Sequence, residues 1–155
     1  MNREIKFRAW DNVKNEMYYT GEEDLIVFMF SSFGIVADEI IPDDSVEGFH
    51  AEKLDHLQYM QFTGLHDKNG VEIYEGDIVE YTRIIYADCS RTEIEDIQEP
   101  VTGNVYYAEG LWLGIKFING TGKLFLPGQV NSEEDNPELE VIGNIFQHPH
   151  LLEGS

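Results

Sequence analysis

His148-Pro149-His150, followed by Glu153, sets two imidazoles two residues apart beside a carboxylate, and these are donor types that bind divalent metals. A closed site needs three or four rigidly held ligands, whereas these histidines fall in a carboxy-terminal tail. They read as exposed, and no metal is assigned. His50 and His56 flank an acidic segment at a spacing that keeps them off a common helix face, so they read as surface histidines. Cys89 sits between Asp88 and Ser90 with Arg91 as the nearby cation, a setting that does not stabilise a thiolate. Asp67-Lys68-Asn69-Gly70 begins like a calcium loop, but the later acidic positions and the closing bidentate glutamate are out of register. It reads as a β-turn with Gly70 left-handed. No phosphate loop, nucleophile elbow or zinc-cysteine cluster is present, so the sequence assigns no catalytic residue and no cofactor, and a non-enzyme is expected.

Two surfaces have the chemistry of recognition. Lys6, Arg8 and Trp10 alternate on one side of a strand and form a cation-and-aromatic face that suits a nucleic-acid strand, diluted by Glu4. Trp10, Tyr18, Tyr106 and Trp112 are candidate protein-interface aromatics. Tyr18 and Tyr19, like Tyr106 and Tyr107, point to opposite faces if they lie on strands, so one of each pair is expected at the surface or against a partner.

The composition limits the partners. The 155 residues carry 10 Lys plus Arg against 30 Asp plus Glu, a formal charge of -20 that repels phosphates at long range. An acidic mimic of DNA is conceivable at that charge, but it needs carboxylates spaced along one rigid face, and here they gather in expected loops. With 42% hydrophobic and 12% aromatic residues the chain can bury a core. One cysteine forms no internal disulfide, and the longest apolar run, Leu25 to Phe30, is too short to span a bilayer. A cytoplasmic protein without membrane contact is expected.

The elements that position these residues read as mainly β, in an α+β arrangement. Ile5, Phe7 and Ala9 alternate with Lys6, Arg8 and Trp10, which predicts a half-buried strand. Asp11 to Asn15 is a turn and Met17 to Tyr19 the returning strand of an amino-terminal hairpin. One or two short helices are expected, one beginning at Glu22 to Asp24 and one within His50 to Leu57. The run Leu25 to Phe30 is compatible with helix or strand. Acidic irregular segments are expected at 37–55, 88–99 and 131–138. Between and after them lie strands at Gln58 to Thr63, Ile78 to Ile85, Val101 to Tyr107, Leu111 to Ile118, Lys123 to Leu126 and Leu139 to Phe146. Short strands joined by tight turns predict a small SH3-like barrel in the second half. The expected division is 1–57 (hairpin and acidic segment), 58–152 (barrel) and 153–155 (tail), the first two packed as one unit. Within Met60 to Tyr81, Gly64, Gly70 and Gly76 supply backbone freedom while Asp67, Asn69 and Asp77 form turns.

Three blocks, Arg3-Glu4-Ile5-Lys6-Phe7-Arg8-Ala9-Trp10-Asp11, Met60 to Tyr81, and Leu139-Glu140-Val141-Ile142-Gly143-Asn144-Ile145-Phe146, together resemble the YopX-like family of phage and prophage proteins, in the same order. Thr20 to Leu57 and Arg83 to Glu138 do not carry the resemblance. It implies a β-rich, oligomeric phage or prophage protein and brings no catalytic residues. The expected function is therefore a non-catalytic accessory role by self-assembly or by binding a host protein. The alternative is a nucleic-acid-facing module, either binding through Lys6, Arg8 and Trp10 or acting as the acidic mimic.

Overall fold

A computed structural model describes residues 5–45, 47–108, 112–125 and 135–153. The fold is mainly β. The chain divides into two units, one formed by Ile5–Gln61 and the other built on Phe62–Ser155.

In the first unit, β1 (Phe7–Asp11) pairs antiparallel with β2 (Glu16–Tyr19) and, on its other side, with the beginning of β6 (Gln58–Asp67). β1 is buried at each of Arg8, Ala9, Trp10 and Asp11, residues that alternate between its two faces. The half-buried strand read from the alternation is thus corrected to one enclosed on both faces. β3 (Ile26–Ser31), β4 (Gly34–Asp43) and β5 (Gly48–Lys53) form an antiparallel meander in chain order. Ala9, Tyr18, Ala37, Leu54 and Leu57 make the core of this unit, with Ile26, Phe28 and Tyr59 packed against them.

Neither expected helix forms. Glu22 to Asp24 is a turn leading into β3, and His50 lies in β5, where pairing with β4 overrides local helix preference. Most of the described part of 37–55 is likewise strand, in the end of β4 and in β5. Its acidic residues hid the pattern because Asp38 stands opposite Lys53, and Glu39 is paired with Lys14 at 2.8 Å. Pro42 is tolerated because it lies beyond the end of the β3 pairing, where no ladder requires its missing N–H.

In the second unit, the rest of β6 pairs with β7 (Glu72–Tyr74), and its end runs parallel to the short β14 (Asp135–Asn136). The main sheet runs in the order β13-β12-β11-β8-β15, formed by β8 (Asp77–Tyr81), β11 (Val101–Ala108), β12 (Trp112–Phe117), β13 (Gly122–Phe125) and β15 (Leu139–Asn144). β9 (Ile84–Tyr86) and β10 (Ile94–Ile97) form a separate two-stranded ribbon, so the expected strand Ile78 to Ile85 is two strands and the acidic segment 88–99 contains one. Of the segment 131–138, residues 131–134 lie outside the described residues and the rest begins with β14. Ile73, Val79, Val105, Ile115 and Leu139 form the centre of the core. The ladders of the described residues end at β13 and β15, and they do not include the closure of an SH3-like barrel. Helical structure is confined, among the described residues, to one 3-10 turn at Pro149–Leu152.

Candidate protein-binding face

Residues directly opposite in an antiparallel ladder share a face of the sheet, which sorts the side chains of β3, β4 and β5 into two sets. Ile26, Phe28 and Ala37 belong to the inward set and pack into the core of the first unit. The outward set contains Val27, Met29, Val36, Ile40 and Phe49, broken by the Asp38 and Lys53 pair. Val27, Met29 and Phe49 are exposed, Phe49 to 67%. Phe33, at the tip of the β3–β4 hairpin, is 98% exposed. Isolated surface hydrophobics are ordinary, but these share one sheet face and the hairpin beside it. Burying each such side chain against a partner stabilises by about 1.5 to 3 kcal/mol before the cost of association.

A polar cluster fastens the same unit. Asp11 ends β1 fully buried, and its Oδ1 accepts hydrogen bonds from the Val13 and Lys14 amides at 2.9 and 3.0 Å, closing the hairpin turn in which Asn15 takes a φ of 56°. His56 Nε2 also contacts Oδ1, at 2.8 Å, and the Tyr18 hydroxyl donates to Oδ2 at 3.0 Å. Burial alone would raise the Asp11 pKa. The two amide bonds, with His56 and Tyr18, outweigh it and hold the carboxyl at about 2. Burial first, and then the neighbouring Asp11 charge, push the Tyr18 phenol well above its ordinary range. Both Asp11 oxygens are occupied by donors, and the cluster holds the His56 imidazole against the carboxylate. Its chemistry is that of a clasp between the hairpin turn and the segment joining β5 to β6. The 45-residue separation of Asp11 and His56 hides this pairing from local sequence patterns, in which His56 reads as a surface histidine.

Buried carboxylates do the same work in the second unit. Asp67, fully buried, accepts the Asn69 and Val71 amides on Oδ1, and its Oδ2 accepts the Val141 amide at 2.9 Å. It therefore organises its own turn and fixes β15 beside it. Gly70 lies in that turn with φ 79°. Asp77 Oδ2 accepts the Tyr74 amide at 2.7 Å across the turn that holds Gly76, whose φ is 79°. Gly64, with φ 86°, sits where the β6–β7 register shifts, and the Thr63 hydroxyl donates to the Ile73 carbonyl at that bulge.

The remaining sequence-selected residues are dispersed. Arg8 is 4% exposed and Trp10 7%, so the Lys6, Arg8 and Trp10 set is not an open face for nucleic acid, because β1 is covered on both sides. Trp10 and Tyr18 are core residues instead of interface residues. Tyr106 is partly exposed and lies over Gly114, where an added Cβ would stand 2.5 Å from its ring. Trp112 begins β12, and its side chain lies outside the described residues. His148 accepts the Asn144 amide at 3.3 Å through Nδ1, and its ring meets that of His150 edge-on at 6.2 Å between centroids. No group of three or more histidine, cysteine or acidic residues placed to hold a metal occurs among the described residues. No helix among them is long and apolar enough to cross a membrane.

A search of curated proteins finds no match. The fold is similar to that in the crystal structure of protein EF1440 from Enterococcus faecalis, with a TM-score of 0.53 and 24% sequence identity over 97% of this chain and 99% of that one. The YopX protein family matches residues 6–153, which takes in the first sequence block from Lys6, the other two blocks and the segments between them. The chain belongs to the YopX family.

Proposed function

We propose that this chain is a phage- or prophage-encoded accessory protein of the host cytoplasm that acts without catalysis, by assembling with itself and binding protein. The observation that carries the reading is the outward face of β3, β4 and β5, which gathers Val27, Met29 and Phe49 on one side of a sheet. Apolar and aromatic side chains of this kind supply most of the energy of protein interfaces. The high negative charge sets a condition on that binding. Copies of the chain repel one another beyond the contact, and salt at physiological strength screens this over a distance of about 8 Å. Self-association therefore strengthens as salt rises, opposite to the behaviour of a phosphate-binding protein. Light scattering coupled to size-exclusion chromatography, run across micromolar concentrations at low and moderate salt, tests the reading. A concentration-dependent oligomer that gains mass with salt supports it. A monomer under every condition removes self-assembly.

A further inference from the structure

We infer that β5 is the self-recognition edge of this protein, where a second copy adds its own β5 antiparallel about a two-fold axis through Ala51. The inference rests on the self-assembly reading and specifies the surface and register that would carry it. β5 pairs with β4 alone among the described residues, and all six of its residues are exposed. Its ladder with β4 is continuous, and it contains no proline. Lys53 at one end is the single lysine available to discourage pairing, so the usual protections of an edge strand are nearly absent.

The backbone phase is fixed by one bond beyond the strand. Leu54 N donates to Ala37 O at 2.9 Å, which makes 54 and 37 a hydrogen-bonded pair. Antiparallel pairs alternate, so Gly48, His50 and Glu52 turn their amides and carbonyls toward β4, while Phe49, Ala51 and Lys53 turn theirs toward the open edge. A two-fold axis normal to the sheet keeps each face on its own side and permits pairing only about a residue. Centring on Glu52 opposes two carboxylates, and centring on His50 opposes two imidazoles. Centring on Ala51 places Phe49 opposite Lys53 of the other copy and forms about six hydrogen bonds from the three outward-facing residues.

Charge selects the same register. β5 carries one lysine and one glutamate in a chain of -20, so a like-charged copy meets no net charge at this edge. About the Ala51 axis, His50 stands opposite Glu52 of the other copy in the closer, non-hydrogen-bonded type of pair. Within one chain His50 Nε2 already lies 3.9 Å from Glu52 Oε1 along the strand. The same side chains can satisfy the contact reciprocally, as an isologous interface requires. The outward face of Phe49 and Ala51 then continues from one copy into the next.

Full-length chain carrying Cys89→Ser and Ala51→Cys tests the axis directly. Equivalent Cα atoms in a hydrogen-bonded antiparallel pair lie about 5.5 Å apart, within reach of a disulfide. Mild oxidation should give a disulfide-linked dimer with Ala51→Cys and little with His50→Cys in the same background. Ala51→Pro should yield a monomer with an unchanged circular-dichroism spectrum, since the Ala51 amide is not used by β4. Glu52→Lys should weaken association roughly tenfold and His50→Glu, added to it, should restore it. If wild-type chain dimerises while Ala51→Cys fails to cross-link, self-assembly stands and the β5 edge is wrong. If wild-type chain stays monomeric at all concentrations, both are overturned.

Discussion

Neutralising Asp11 by Asp11→Asn should cost the first unit a large part of its stability, and that loss should vanish in acid. The carboxyl is buried, accepts four hydrogen bonds and is held at about 2 against an ordinary 3.8. That depression corresponds to about 2 kcal/mol favouring the folded state when the group is ionised. The folded value is the lower one, so the contribution is present above pH 4 and disappears as pH falls through about 2. Asp11→Asn keeps an acceptor for the Val13 and Lys14 amides but loses the charge, and it should destabilise by about 2 kcal/mol at pH 7. Asp11→Ala also orphans the turn amides and the Tyr18 hydroxyl, for a total loss of about 3 to 4 kcal/mol. Urea unfolding of wild type and Asp11→Asn from pH 7 down to pH 2 measures both. The difference between them should shrink toward zero at the acid end. A difference below about 0.5 kcal/mol at pH 7, or one that does not change with pH, would refute the clasp.

Three further outcomes follow from the packing. Asp67→Ala should cost about 2 to 3 kcal/mol by urea denaturation, because three amide donors in two elements lose one buried acceptor. Gly114→Ala should displace the Tyr106 ring, costing about 1 to 3 kcal/mol and changing tyrosine near-ultraviolet circular dichroism. The Tyr59 hydroxyl is buried without a hydrogen-bond partner among the described residues, so Tyr59→Phe should leave the urea midpoint unchanged or raise it.

How much of this was legible in the sequence depended on the range of the interaction. The turn at Asp11 to Asn15 could be read locally because a carboxylate two and three residues before its amide partners is enough to make it. The β-rich character followed from short apolar runs separated by turn residues. Alternation failed at β1, since it reports a buried face only when the opposite face is wet, and here Arg8 and Trp10 are covered as well. It failed again at β4 and β5, where Asp38 and Glu39 resemble a solvated loop until Lys53 and Lys14 are brought beside them. The Asp11–His56 contact and the face shared by Val27, Met29 and Phe49 are products of strand order, which no local spacing specifies. Conversely, aromatic chemistry marks a residue as fit for an interface without showing whether the fold encloses it, and Trp10 and Tyr18 are core.

The most direct measurement of the central claim is the mass of the full chain by light scattering across micromolar concentrations, with Ala51→Pro measured beside it. A wild-type mass that rises with concentration and with salt, and a variant that remains folded at the monomer mass, is the result expected of self-recognition through β5. A wild-type mass fixed at 17.8 kDa under all these conditions would contradict it.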